Sequence, residues 1–357
     1  MRVLEARVDD IARRYATEAS AALLAEAARC HAALTMLLEH GGDDRVRRDI
    51  HRAATVSATL LSKLIWDASG RRDSAGALAY CTEAASHATE CGDVVASAHT
   101  QLRRTYVSLY GVSQTRDPAA GLATAQAAVE QSTGTSHALT GLSRLHVAEA
   151  LAMLGEYRQC EQALSAAELS LGQSTVDDPA ALLCSPGQLG RLAGSCYLAL
   201  GAPERAEPLP LRTASELQGR SKTRSLVLGN LALSHLRQRQ LEAATATLHE
   251  AIGLLEESRG GGGMTVVFGA TRPPDCRGHR PTVRVATGAM VICGPVTSTS
   301  RFACRVVRPT LQLDPGATGG SSPGGSRRLR TTPGTTLDHL AEPVTGRRAA
   351  RTTRRRK

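Results

Sequence analysis

The stretch LSRLHVAEALAMLGEYRQCEQALSAAELSL, residues 142–171, decides the fold of this chain. Apolar side chains recur in it at intervals of three and four residues on both sides of a Leu154-Gly155 step. That spacing is typical of two amphipathic helices joined by a tight glycine turn. Small residues such as Ala148 and Ala167 fall where the two helices would touch. The stretch therefore predicts an antiparallel helical hairpin.

The pattern repeats on both sides of this stretch. Residues 226–255 carry it in the same register, and further copies cover 188–217 and 58–88. A looser copy covers 98–131, with Arg-Asp-Pro inserted at its turn. A single hairpin buries only one face, so neighbouring hairpins must stack to complete a core.

These copies resemble tetratricopeptide (TPR) repeats, although their turns are about 38 to 46 residues apart rather than the usual 34. The sequence therefore predicts an all-α fold, an α-solenoid of five or so degenerate TPR-like helical hairpins, over residues 1–258. Pro208 and Pro210 fall inside the second helix of one copy. Because proline removes a backbone hydrogen bond and clashes with the preceding turn, this helix is predicted to be short or kinked.

Charge and composition divide the chain after residue 258. The tail, residues 259–357, contains 18 Lys or Arg and 4 Asp or Glu; subtraction from the totals of 43 and 33 leaves 25 and 29 for the repeats. Residues 259–272 read as a glycine-rich hinge followed by a short strand-like segment. Residues 273–357 are rich in Arg, Pro and Gly and bury too little apolar surface to fold, so a disordered basic tail is predicted.

The sequence favours a cytoplasmic protein with no membrane segment. The N-terminal stretch is charged and amphipathic and lacks the apolar region of a signal peptide. No run of about 18 apolar residues is present. None of the nine cysteines forms a CxxC pair, and helical positions account for most of them, so reduced structural thiols are expected. No cofactor and no metal site is predicted.

Five stretches resemble the C-terminal sensor half of actinobacterial-type XRE helix-turn-helix regulators that carry TPR repeats. They are RVRRDIHRAATVSATLLSKLIWDAS (45–69), TSHALTGLSRLHVAEALAMLG (135–155), SPGQLGRLAGSCYLALGAPERAEP (185–208), KTRSLVLGNLALSHLRQRQLEAA (222–244) and ESRGGGGMTVVFGATR (257–272). The last is the most distinctive, because a glycine run leading into a Val-Val-Phe segment is unusual in TPR proteins.

The resemblance implies a sensor that changes DNA binding by an attached domain when a signal binds. Two features depart from that family. No helix–turn–helix with a polar recognition helix precedes the repeats, and the basic tail replaces a short helical ending. Such a tail is what an out-of-frame reading of GC-rich DNA would produce, so a truncated, frame-disrupted relative is one interpretation and a genuine basic tail is the other.

His146 and Glu149 lie three residues apart on one predicted helix, with Arg144 nearby. A His/Glu pair can serve in acid–base chemistry or bind a metal. No third ligand or nucleophile stands at a recognisable spacing, so an ordinary helix-surface pair is the favoured interpretation, with ligand contact as the alternative. No catalytic residue is predicted.

The remaining candidates for a ligand groove are basic, because Arg and Lys are rarely buried without a partner. A solvated helix face is the competing interpretation for each of them: Arg103, Arg104, Arg191, Lys222 and Arg224. Tyr157, Tyr197 and the single Trp66 are predicted to lie in the core.

The sequence thus favours a non-catalytic regulatory or interaction module, not an enzyme, with a protein, a peptide or a small signal molecule in its concave groove. The alternative function is nonspecific nucleic-acid binding through the basic tail. The repeats carry a small net negative charge, so no specific DNA binding is expected from them.

Overall fold

The computed structural model describes residues 2–258 except 41, 112–114, 186 and 218, together with residue 266 and three segments between 282 and 307. Helices occupy nearly all of the first part. Their bounds are α1 Arg2–Arg14, α2 Ser20–Glu39, α3 Asp44–Ala68, α4 Ser74–Cys91, α5 Val94–Tyr110, α6 Pro118–Ser132, α7 His137–Leu154, α8 Tyr157–Gly172, α9 Gln188–Ala199, α10 Pro203–Ala206, α11 Pro208–Glu216, α12 Ser221–Arg237 and α13 Leu241–Ser258, with a 3-10 turn at Ala181–Leu183.

Local signals in the sequence set many of the helix ends. The side chains of Asp43, Asp73, Asp93 and Asp117 each accept a hydrogen bond from a backbone N–H in the first turn of the following helix. Such N-caps satisfy donors that have no partner within the helix. At the other end of α7, Gly155 takes φ 84°, a left-handed conformation that glycine adopts without steric cost.

The helices form successive antiparallel hairpins that stack in two layers. The first helices of the hairpins, α3, α5, α7, α9 and α12, contact one another in that order. The second helices α4, α6 and α8 make no comparable contacts with one another. Because one layer is packed more closely than the other, the stack curves with the first helices on its inner side. The all-α solenoid predicted from the sequence is therefore confirmed.

Small residues allow close helix packing within the hairpins. Gly141 on α7 faces α8, where an added Cβ would lie 2.7 Å from Leu171 Cγ and 3.0 Å from the Leu171 backbone nitrogen. The hairpin core consists of Leu and Ala side chains with Cys160 and Cys196, all buried. The six described cysteines are free, and five of them are buried.

The proline-containing copy is interrupted as its sequence predicts. The second helix of this hairpin consists of α10 and α11, which are separated at Glu207 immediately before Pro208. Both pieces still pack against α9 and α12. The hairpin therefore keeps its place in the stack even though its outer helix is broken.

The helices near the two ends of the described stack also touch. Lys222, at the start of α12, lies 3.2 Å from Asp67 at the end of α3, and each side chain is 6% exposed. Lys222 Nζ also donates to Ser20 Oγ at 2.9 Å, and Ser20 Oγ donates to Asp67 at 2.7 Å. The curvature of the stack thus brings α12 back against α2 and α3.

The structure describes three segments of the tail as strands. Residues 282–286, 289–295 and 302–307 form three antiparallel strands, β1, β2 and β3, in the order β1-β2-β3. Alternating β-branched residues give these segments strand propensity that the overall Arg, Pro and Gly content conceals. Apart from these three segments, the disorder predicted for residues 273–357 stays a prediction. The rest of 273–357 and the hinge 259–272, apart from Val266, lie outside the described residues.

By length and composition alone, one helix of the described part, α2, could cross a membrane. The core helices of globular proteins satisfy the same criteria. In this structure Leu23, Ala27 and Cys30 of α2 pack in a hydrophobic cluster with residues of α1 and α3.

Candidate ligand site inside the solenoid

Polar and aromatic side chains of the inner helices α3 and α5 pack against one another. On α3 these are Lys63, Trp66 and Asp67, and on α5 they are His99, Arg103, Tyr106 and Tyr110. The spacing of three, four and seven residues keeps each set on one face of its helix. An apolar solenoid core needs none of these side chains, so we regard this polar interior as the candidate site.

Trp66 lies at the centre of an aromatic and cationic cluster. The guanidinium carbon of Arg71 is 4.8 Å from the Trp66 ring and 5.5 Å from the Tyr110 ring. The guanidinium of Arg103 is 5.1 Å from Trp66 and 5.4 Å from Tyr106. Cations at these distances from aromatic faces are attracted by the ring quadrupoles. The aromatic rings therefore hold two arginine side chains in place inside the protein.

Arg103 is almost completely buried, at 5% exposure. Its Nε and Nη2 atoms are inaccessible to solvent, and no described residue accepts a hydrogen bond from either of them. Burial lowers the pKa of Arg103 from its ordinary value. An arginine nevertheless stays charged at neutral pH, so its unpaired donors are costly in this position.

His146 and Glu149 on α7 meet Tyr110 of α5. The Tyr110 hydroxyl donates to Glu149 Oε2, and His146 Nδ1 lies 2.7 Å from the Tyr110 oxygen and 3.2 Å from Glu149 Oε2. Nδ1 therefore carries the ring proton. His146 Nε2 is buried without a partner among the described residues.

The protonation states of this trio follow from burial and hydrogen bonding. Burial lowers the pKa of His146, although the neighbouring Glu149 acts in the opposite direction. Burial would raise the pKa of Glu149, but hydrogen bonds from His146, Tyr110 and Ser195 outweigh it and hold that pKa below its usual value. At neutral pH the pair is therefore a neutral imidazole that donates to a carboxylate.

Two further bases face the same interior. Burial, with a contribution from Arg103, lowers the pKa of Lys63 to about 7. Burial and the neighbouring cations Arg103 and Lys63 lower the pKa of His99 to about 4. The Lys63 ammonium lies 3.7 Å from the Tyr15 ring centroid, and the ammonium of Lys222, on α12, lies 4.0 Å from the same centroid. Repulsion among neighbouring cations thus adds to the cost of burying them.

The structure places the sequence-derived candidates in two groups. Four of them are buried in the interior: Arg103, His146, Glu149 and Lys222. A fifth, Arg191, lies close enough for its positive charge to act on the ionisation of Tyr106, Tyr110 and His146. Three other candidates bond locally to neighbouring helices: Arg104 to Thr82, Arg144 to Ala166 and Ser170, and Arg224 to Glu250.

Two interpretations of the site residues are therefore wrong. His146 and Glu149 are not a helix-surface pair, because they are 1% and 3% exposed on the inner face of α7. Arg103 and Lys222 do not lie on a solvated face; aromatic rings surround the first, and Asp67 pairs with the second. The loose repeat phase did not determine which side of each helix faces inward.

The aromatic predictions have mixed outcomes. Trp66 is buried, as predicted, and Tyr197 is partly buried against the core of its hairpin. Tyr157 is exposed, because it begins α8 and its hydroxyl meets Arg205 at the surface. Sequence reasoning did not identify Arg71, Lys63, His99 or Asp67. For Lys63, Asp67 and His99, the spacing with Trp66 and Arg103 along α3 and α5 was the available signal, whereas Arg71 lies in the turn after α3.

Elsewhere in the described residues, the candidate binding features have few charged groups. A crevice of about 320 Å³ lies between α7, α8 and the start of α9 and includes Leu142, Leu145, Ser185 and Gln188. None of the charged interior residues lines it. Among the described residues, no group of three or more His, Cys, Asp or Glu side chains could hold a metal ion.

Together the fold and the interior define an all-α helical-repeat protein with a buried polar and cationic centre. No protein-family model matches the sequence, and no curated relative matches it. Among solved structures, the crystal structure of BtubC (BKLC) from P. vanneervenii is similar, with 14% identity and a TM-score of 0.45 over 74% of this chain and 97% of that one. A likeness at this TM-score carries no argument about function.

Proposed function

We propose that this chain is a non-catalytic regulatory or interaction module, which binds a protein, a peptide or a small signal molecule inside its curved stack of helices. One observation carries the proposal: adjacent inner helices, α3, α5, α7, α9 and α12, present buried polar groups to a common interior. Several of those groups have no partner among the described residues. Polar groups are rarely left so in a purely structural core.

Movement between repeats would provide the response. Each hairpin of a solenoid contacts mainly its neighbours, so a ligand that touches several inner helices shifts their packing together. Such a shift would change the contact of Lys222 with Asp67 and Ser20, because that contact joins α12 to α2 and α3. The resemblance to the sensor half of XRE-type regulators supports this role, in which the shift would control an attached DNA-binding domain. The proposed location is the cytoplasm.

Hydrogen–deuterium exchange tests the proposal. The full chain would be incubated with pools of random hexapeptides of acidic, neutral or basic composition. We expect slower exchange along α3, α5, α7 and α9 with at least one pool. Tyr106→Leu on the inner face should reduce the effect, whereas Glu168→Ala on the exposed face of α8 should leave it unchanged. Protection confined to α4, α6 and α8 would contradict the proposal, and no protection with any pool would exclude a short peptide as the ligand.

The charge of the tail favours a second candidate function, nonspecific nucleic-acid binding. Residues 259–357 contain 18 basic residues and 4 acidic ones. Neutralising several phosphates releases counterions, so binding through the tail should weaken steeply between about 50 and 200 mM salt. It should also be indifferent to sequence.

Titration of fluorescent duplexes of unrelated sequence separates the two functions. We expect the full chain to bind at low salt and the chain ending at Ser258 to lose that affinity. A truncated chain that still preferred one duplex over another by about a thousandfold would show specific recognition by the repeats. That result would contradict both candidates.

A further inference from the structure

Positive charge exceeds negative charge inside the solenoid. Among the described side chains of this region, the buried carboxylates are Asp67 and Glu149, and the more exposed Glu18 also acts on Lys222. The first pairs with Lys222 and also acts electrostatically on Lys63, Arg71 and Arg103, and the second accepts hydrogen bonds from Tyr110 and His146. The cations are Arg71, Arg103, Arg191 and Lys222, and Lys63, with a pKa of about 7, is partly protonated at neutral pH. A buried cation without a counter-ion is costly, so this centre is electrostatically suited to take up an anion.

The unpaired atoms of Arg103 define the geometry of such an anion. Nε–H and Nη2–H lie on the same edge of the guanidinium and point in parallel. An edge of this kind binds both oxygens of a carboxylate or two oxygens of a phosphate. Neither atom has a partner among the described residues, and the guanidinium carbon lies 5.1 Å from the Trp66 ring and 5.4 Å from the Tyr106 ring. The rings thus contact the side chain, while one edge of the guanidinium is buried without a hydrogen-bond partner among the described residues.

Arg71 brings a second guanidinium to the same ring at the expense of backbone strain. It lies in the turn after α3 with φ 65°, in the left-handed region that disfavours side chains with a Cβ. Its Nε is also buried and has no partner among the described residues. Glycine would suit this position better on conformational grounds. Strained residues of this kind often occur at binding sites.

We propose that Arg103 and Arg71 form an oxyanion site beside Trp66, which takes a carboxylate or phosphate group of the ligand. This inference rests on the proposed function, because it assumes that the interior binds a ligand, and it adds the charge of that ligand. The Arg103 edge is occluded in this structure, so binding includes a movement of the side chains around Trp66. As the single tryptophan, Trp66 reports that movement by its fluorescence.

Calorimetric titration of the full chain with pyrophosphate and with citrate tests the site at constant ionic strength. We expect saturable binding of at least one of the two, accompanied by a change in Trp66 fluorescence. The more tightly bound anion then identifies the group as a phosphate or a carboxylate. Absence of saturable binding with both would overturn the inference.

The matched variants are Arg103→Met and Arg104→Met. The neighbouring Arg104 bonds instead to Thr82 on α4 at 3.1 Å, in an exposed position. We expect Arg103→Met to weaken binding at least tenfold and Arg104→Met to change it less than twofold. Equal affinities in both variants would overturn the site. So would loss of folding in Arg103→Met, because it would show that the guanidinium has a structural role.

Arg71→Gly and Arg239→Gly form a second matched pair. Arg239 also has a positive φ, 61°, but is exposed in the turn between α12 and α13. We expect Arg71→Gly to weaken anion binding severalfold and Arg239→Gly to leave it unchanged; equal effects would overturn the role of Arg71. If neutral peptides protect the inner helices while neither anion binds, the proposed function stands and this inference falls.

Discussion

Two arginines with strained backbones, Arg71 and Arg239, show whether a residue is present for stability or for binding. Arg71 and Arg239 are the non-glycine residues with positive φ in the described part of the chain. A left-handed conformation costs an L-residue roughly 1–2 kcal/mol. Arg239 is exposed, so its strain has no compensation from packing. Arg71 is half-buried against Trp66 and Tyr110, so ring contacts worth about 0.5–1 kcal/mol each offset part of its strain.

Replacing either arginine with glycine should therefore raise the free energy of unfolding. We expect a gain of about 1 kcal/mol for Arg239→Gly and a smaller gain for Arg71→Gly, because the second variant also loses its ring contacts. Urea denaturation followed by circular dichroism measures both. A loss of more than about 1 kcal/mol in Arg71→Gly would mean that the side chain is present for stability alone.

The low pKa of Lys63 gives a pH-dependent prediction. Its pKa is about 7 in the folded chain and ordinary in the unfolded one, so between these values the unfolded state binds more protons. Stability must then rise with pH, by up to about 1.4 kcal/mol per pH unit from this group. The facing groups are Tyr15, Asp67, His99, Arg103 and Lys222.

The measurement is the difference in unfolding free energy between the natural chain and Lys63→Met from pH 6 to 9.5. Groups that titrate alike in both chains cancel in the difference. We expect the natural chain to be the less stable one at pH 6 and the gap to narrow above pH 7. A difference that does not depend on pH would show that Lys63 keeps an ordinary pKa.

At the scale of helices and strands, the sequence determines much of the structure locally. Leu and Ala side chains that recur every three or four residues predict the hairpins, and Pro208 predicts the break between α10 and α11. Such signals act within a few residues, so they can be read directly. The inward face of each helix depends on neighbouring hairpins, which is why His146 and Glu149 were assigned to the surface. The strands at 282–307 were missed because their β-branched residues lie among many Gly and Pro residues.

Helix packing yields a prediction with a matched control. An added methyl at Gly141 would press on both the side chain and the backbone of Leu171, whereas a Cβ at Gly253 on α13 would meet no atom within 4 Å. We expect Gly141→Ala to destabilise the chain by about 1–3 kcal/mol through overpacking. Gly253→Ala should stabilise it by up to about 1 kcal/mol through helix propensity. Thermal unfolding measures both, and equal effects would contradict close packing between α7 and α8.

At the scale of the whole molecule, the decisive contact joins residues that are far apart in the sequence. Lys222 reaches Ser20 across 202 positions and Asp67 across 155. No local pattern encodes such a pairing, because it depends on the accumulated curvature of all the hairpins between. Lys222 was therefore predicted only as a groove candidate. A linear solenoid couples only neighbouring repeats, but this contact couples the first helices to α12.

Lys222→Met should consequently lower both stability and cooperativity. Removing one partner of a buried ion pair costs about 3–5 kcal/mol, and we expect the lower end because Ser20 still donates to Asp67. The control is Arg224→Met, since Arg224 pairs with the half-exposed Glu250 on α13 and such surface pairs contribute about 0–1 kcal/mol. Hydrogen exchange should then show α2 and α3 opening independently of α12 and α13 in Lys222→Met alone. If both variants keep a single cooperative opening, the contact does not join the two ends energetically, and ligand-driven shifts in packing must pass from one hairpin to the next.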